Sequence, residues 1–168
     1  VLKPAEQSPA SCHRLGLLAG QAGLPPGTLN VVQGFGPLEA GQALTEHPGV
    51  DLVTFTGESA TGRAILAAGA PTLKRVSFEL GGKGANLVFA DADLGNAVDW
   101  SLRAIFLNAG QVCLSGSRLY VQRPVYEEFL DRFVAGAEAM RLGDPLDEAT
   151  EVGPLSSREH WEKVTGYL

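Results

Sequence analysis

The chain has 168 residues, a formal net charge of −6, and 45% hydrophobic and 19% charged side chains. That composition fits a folded globular chain rather than a disordered one, no apolar run is long enough to span a bilayer, and the opening residues form no signal peptide. The acidic balance and the scattering of the 13 Lys and Arg argue against a nucleic-acid binder.

Cys12 and Cys113 have no metal-ligand spacing, and a structural disulfide is not expected in a chain without export signals. His13, His47 and His160 form no ligand motif, so no metal centre is expected. The chain opens on Val1 rather than Met and reads as an internal piece of a longer cytoplasmic protein.

Short apolar runs alternate with helical patterns. Val1–Lys3 reads as the end of a strand, and Ser8-Pro9 as a helix start with Ser as cap and Pro in the first turn. Leu15, Leu17, Leu18 and Ala22 continue that helix, and Gly23 stops it. Leu29–Val32 is a β-branched strand, Gly34-Phe35-Gly36-Pro37 a turn, and a helix follows to about Glu46. Asp51–Thr56 is a strand, then Gly57 and a helix through about Ala68, then a strand at Val76–Glu79. After Gly81-Gly82 the pattern restarts with a strand at Asn86–Phe89. A helix then presents Leu94, Ala97, Val98, Leu102, Ile105 and Phe106 on one face. It ends at Asn108–Gly110, and Cys113 falls in the loop beyond. Leu119–Gln122 is a strand, Val125–Met140 a helix, Gly143-Asp144-Pro145 a break, and the stretch from about Ser156 is helical.

This alternation predicts an α/β fold: a Rossmann-like parallel sheet with helices on both faces, followed by the start of a second α/β domain. The expected division is 1–79 and 80–168, with the glycines at 81 and 82 as a hinge. Ligands in such sheets bind at the carboxyl ends of the strands, where Lys3, Gly34–Pro37, Thr56–Glu58 and Glu79 fall.

Cys113 and Glu79, each on Gly-rich ground, suggest covalent catalysis: a thiol that attacks a carbonyl and a carboxylate that later activates water. A lone cysteine is more often buried and inert, and the Gly-flanked loop placement is what favours a nucleophile here; Cys12, on a helix, keeps the inert assignment. Glu79 is flanked by apolar Phe78 and Leu80, a setting that favours a general base; the plain alternative is an ion pair with Lys74 or Lys83. No G-x-G-x-x-G occurs, and a P-loop fails because Ser77 stands where its first Gly is required and Gly84 follows Lys83.

Four segments carry a family resemblance: Val1-Leu2-Lys3-Pro4-Ala5-Glu6-Gln7-Ser8-Pro9, Phe55-Thr56-Gly57, Phe78-Glu79-Leu80-Gly81-Gly82-Lys83 and Gly110-Gln111-Val112-Cys113. In that order and spacing the chain resembles the NAD(P)-dependent aldehyde dehydrogenase superfamily over essentially its whole length. The resemblance implies a partial NAD-binding domain followed by a partial catalytic domain. Cys113 would form a thiohemiacetal that expels hydride to the nicotinamide, and Glu79 would activate the water that hydrolyses the resulting thioester.

The resemblance also implies that Lys3 and Glu6 contact the adenosine ribose, with Glu6 repelling a 2′-phosphate and favouring NAD; the alternative for them is a surface ion pair. Gly36 and Pro37 would line the adenine pocket. Thr56, Gly57 and Glu58 would face the pyrophosphate at a helix start, and Gly62 would let that helix pack closely. Glu58 departs from the Ser common in the family. Leu80 and Gly81 would approach the nicotinamide, and the Cys113 N–H would supply half of an oxyanion hole.

The family's oxyanion-hole Asn and nicotinamide-ribose Glu have no counterpart here, so the chain alone is expected to have little or no activity. Phe55-Thr56-Gly57-Glu58, Phe78 before Glu79, Phe89-Ala90-Asp91-Ala92-Asp93-Leu94 and the run through Leu114 look most like muconic semialdehyde dehydrogenases. Betaine-aldehyde-like and general aldehyde members remain open. Arg118 and Arg123 read as structural rather than as partners of a substrate carboxylate. CoA-acylating and non-catalytic relatives are the alternatives, with Glu79 arguing for hydrolysis. The expected partner is a small aldehyde, without nucleic acid or membrane, and the full-length parent is expected to be a homo-oligomer.

Overall fold

Pro4 ends the first strand pairing almost as soon as it begins. Leu2 bridges Val31 in parallel, its N–H donating to Asn30 O at 2.8 Å and its carbonyl accepting from Val32 N at 3.0 Å. Pro4 has no N–H with which to extend the ladder. The strands expected at Val1–Lys3 and Leu29–Val32 therefore reduce to this single bridge. The structure is a computed structural model describing residues 1–168. It divides into two units, Val1–Glu79 and Leu80–Leu168.

In the first unit, α1 spans Ala10–Gln21. Pro9 rather than Ser8 occupies its cap position, because Ser8 belongs to the preceding turn through Ser8 N to Ala5 O at 3.2 Å. The chain leaves α1 through Gly23, whose φ of 86° suits glycine. Helix α2 is Ala40–Glu46, strand β1 Leu52–Gly57, helix α3 Ser59–Gly69 and strand β2 Arg75–Leu80. Strands β1 and β2 form a two-stranded sheet, with Phe55 and Phe78 in edge-to-face contact at 6.4 Å. On α3 the buried residues Gly62, Ile65 and Gly69 recur at helical spacing and make one face.

In the second unit, β3 (Ala85–Val88) pairs in parallel with β4 (Arg118–Val121), Val88 opposite Val121. Helix α4 (Leu94–Phe106) begins at Asp93, whose carboxylate accepts from Asn96 N at 3.0 Å, the usual work of an Asp cap. Helix α5 is Tyr126–Glu138, and α6 is Arg158–Thr165 behind a Ser157 cap. Val88, Val98, Leu102 and Phe129 form the core, and Leu94, Ala97, Phe106, Val121 and Phe133 pack around it. The apolar stripe expected on α4 supplies much of that cluster. Gly136 on α5 admits Leu102: a Cβ there would lie 2.5 Å from Leu102 Cδ1.

The α/β class is the one the sequence indicated, in small sheets of two strands each. No helix is long and apolar enough to cross a membrane.

Candidate active site

Cys113 sits in the loop between α4 and β4 and is exposed, as a free thiol. The loop is built on main-chain bonds. Ser115 N closes a turn on Val112 O at 3.1 Å, and Gly116 N reaches back to Ala104 O in α4 at 3.2 Å. Alongside runs the stretch from Gly81 to Gly84. Arg118 N donates to Gly84 O at 3.3 Å, and Arg118 Nε to Lys83 O at 2.9 Å. A Cβ on Gly82 would stand 3.3 Å from Cys113 O, so the two backbones run close together there. The third and fourth motifs of the sequence thus meet at Gly82 and Cys113. The Arg118 guanidinium also lies over the Tyr120 ring, so Arg118 acts structurally.

Glu79 is exposed near the end of β2, where Val76, Phe78 and Leu80 alternate with it as half-buried residues. The apolar setting expected from Phe78 and Leu80 is not realised, because successive side chains of a strand point to opposite faces. The ion pairs considered for Glu79 are not formed either. Lys74 is buried and donates to His47 O and Val50 O, and Lys83 Nζ donates to Gly82 O at 3.3 Å.

Lys3 and Glu6 do form a pair, but not an isolated surface one. Lys3 Nζ donates to Pro4 O at 2.7 Å and to Gly34 O at 2.9 Å, and lies 3.6 Å from Glu6 Oε1. That oxygen accepts from Gly36 N at 2.8 Å. The Glu6 carboxyl is held below the usual carboxylate range, first by its own backbone N–H; burial opposes this, and the Gly36 N–H and the Lys3 charge add to the lowering. Gly36 is itself pinned. A Cβ on Gly41 in α2 would stand 2.7 Å from Gly36 Cα, so only glycine at position 41 permits this approach. Pro37 follows in the exposed turn.

At the β1–α3 junction Thr56, Gly57 and Glu58 are exposed. Gly57 lies against Phe55, whose Cζ would be 2.5 Å from any Cβ at 57. Glu58 holds the cap position of α3 in an extended conformation, and its side chain makes no capping bond to the helix. Gly62 is buried on α3 together with Ile65 and Gly69.

The sequence profile of the aldehyde dehydrogenase family matches residues 1–168. The chain belongs to the aldehyde dehydrogenase family.

Among its relatives, 2-hydroxymuconic semialdehyde dehydrogenase from Pseudomonas sp. (strain CF600) is 52% identical over 99% of this chain and 34% of that protein. Retinal dehydrogenase 2 from Gallus gallus is 46% identical over 98% of this chain and 32% of that protein. PnpE from Pseudomonas sp. WBC-3, solved in complex with nicotinamide adenine dinucleotide, superposes with a TM-score of 0.95 at 48% identity, covering 98% of this chain and 34% of PnpE. The chain spans about a third of the length of the curated relatives it matches. Two relatives of nearly equal identity are thus named for very different aldehydes.

In this aldehyde dehydrogenase chain, sequence reasoning assigned no role to Gln111, although it was quoted within the cysteine motif. Its side chain ties the turn before Cys113 to Ser156 N at 2.9 Å. The signal available was a polar residue between Gly110 and Val112, but its partner lies too far along the chain to be foreseen.

Proposed function

We propose that the chain is the part of an NAD-dependent aldehyde dehydrogenase that carries its nucleophile and its water-activating base, and that the whole protein oxidises an aldehyde, of muconic-semialdehyde type, to a carboxylic acid. The observation that carries this reading is Cys113: an exposed thiol on a loop braced by main-chain bonds, lying against the glycine stretch that follows Glu79.

The fit to the dinucleotide rests on the Lys3–Glu6 cluster. An ammonium and a carboxylate held 3.6 Å apart by the Gly34–Gly36 turn offer one donor and one acceptor, the set that a vicinal diol of a ribose requires. The Glu6 charge disfavours a 2′-phosphate. Gly36 and Pro37 would border the adenine, Thr56, Gly57 and Glu58 the pyrophosphate, with Gly62 supporting α3, and Leu80 and Gly81 the nicotinamide end. When bound, NAD supplies the hydride acceptor.

The remaining chemistry falls to the chain. The Cys113 thiolate adds to the aldehyde carbon, and the Cys113 N–H donates to the oxygen that gains charge. Once the carbon is oxidised to a thioester, Glu79 takes a proton from the attacking water. The C–S bond then breaks, releasing the acid and the thiolate.

The test is NADH formation from NAD with a semialdehyde and with a simple aldehyde, on this chain and on a version extended at both ends. The expected outcome is NADH from the extended protein, none from its Cys113→Ala variant, and little from this chain alone. Absence of NADH from the extended protein, with Cys113 still labelled by a thiol reagent, would favour an acylating or non-catalytic relative.

A further inference from the structure

Asn108, Ala109 and Gly110 are left-handed in succession, with φ of 53°, 56° and 75°. For a residue with a Cβ that conformation costs roughly 1–2 kcal/mol, so two such residues need something to hold them. Gln111 supplies it. Its N–H and its side-chain Nε2 both donate to Asn108 O, at 3.1 and 2.9 Å, and Asn108 Nδ2 donates in return to Gln111 O at 3.4 Å. Its Oε1 accepts from Ser156 N at 2.9 Å, across a sequence separation of 45. Both ends of one side-chain amide are therefore engaged, one within the turn and one on the segment leading into α6. Two residues later comes Cys113, at the head of the Val112–Ser115 turn.

We propose that Gln111 is a positioning residue for the nucleophile: its amide clamps the left-handed turn Asn108–Gly110 to the Ser156 backbone and so fixes where the Cys113 loop starts. The role in turnover rests on the reading of Cys113 as nucleophile; the clamp itself does not.

Two variants separate the two ends of the clamp. Gln111→Glu keeps an oxygen for Ser156 N but loses the donor to Asn108 O, and Gln111→Ala loses both. Amide hydrogen exchange at Ser156 reads one end. The rate of Cys113 alkylation by iodoacetamide, relative to that of Cys12 in the same chain, reads the other. In Gln111→Ala, Ser156 exchange rises about tenfold, as expected for the loss of one hydrogen bond. In Gln111→Glu its protection stays near that of the unmodified chain. In both variants the ratio of Cys113 to Cys12 alkylation shifts about threefold or more while the Cys12 rate holds.

Unchanged Ser156 exchange and an unchanged ratio in Gln111→Ala would overturn the proposal. So would parallel changes at Cys12 and Cys113, which mean general loosening, or loss of Ser156 protection in Gln111→Glu. Because neither readout needs turnover, failure of the clamp is distinguishable from failure of the nucleophile assignment, which Cys113→Ala tests separately.

Discussion

In the first unit Lys3 and Glu6 are fixed by main-chain groups of Pro4, Gly34 and Gly36, and the buried residues around them are few. In the second, the Cys113 loop is tied to α4, whose Val98 and Leu102 pack with Val88 and with Phe129, itself only 1% exposed. The two regions are ordered by different forces: charge-assisted hydrogen bonds and close glycine approaches in one, apolar burial in the other. A group that recognises a polar ligand can tolerate the first kind of support. The second kind suits the nucleophile role proposed for Cys113, which requires tight positioning.

The strongest way to break this comparison is Phe129→Ala. Emptying the centre of the cluster should destabilise the second unit by about 3–5 kcal/mol, read by denaturant unfolding, with the largest loss of exchange protection in the α4 and α5 peptides. If stability hardly changes, the Cys113 loop does not depend on that core. Next is Gly41→Ala. Its Cβ meets the backbone of Gly36, and main chain cannot swing aside as a side chain can. A loss of about 1–3 kcal/mol is expected, with faster exchange at Gly36 and Gln42. A neutral result would mean that the Gly36 turn is not held by α2.

Glu6→Gln sharpens the polar half. It removes the charge facing Lys3 but keeps an oxygen for Gly36 N. The expected loss is of the order of 1 kcal/mol, reduced by partial exposure. The pH dependence has a definite sign. The folded-state carboxyl of Glu6 lies below its unfolded value. Its contribution is therefore complete above the usual carboxylate pKa and is lost as pH falls through the lowered folded value. Thermal unfolding of the parent and of Glu6→Gln should converge as pH falls through that window; a gap that stays constant would contradict the assignment. Smallest is Ser157→Ala, which removes the bond from His160 N and should cost about 1 kcal/mol, confined to α6.

What the sequence made legible follows the same divide. The face of α4 could be read because a helix repeats its burial every three to four residues, and Leu94, Ala97, Val98, Leu102 and Phe106 all pack as that period requires. Most element boundaries fell within two residues because Gly and Pro mark them. The misses are those where a partner decides. Ser8 has a capping side chain, but the Ala5–Ser8 turn takes its backbone out of position. The strand at Val1–Lys3 has the right side chains, but Pro4 allows only one bridge. Glu79 has apolar neighbours in sequence that the strand's own alternation turns away from it.

Among the candidate site residues, Lys3, Glu6 and Gly36 are brought together, while Cys113 lies against Gly82, which was read only as a hinge. The clamp at Gln111 was invisible because its acceptor half depends on Ser156.

The most direct test of the central claim uses Glu79→Gln in the protein extended at both ends, given a semialdehyde and NAD, with NADH followed against time and the Cys113 peptide weighed by mass spectrometry after quenching. The account predicts one NADH per chain and an acyl group on Cys113, because the thioester forms and is not hydrolysed. Steady turnover with an unmodified Cys113 would contradict it.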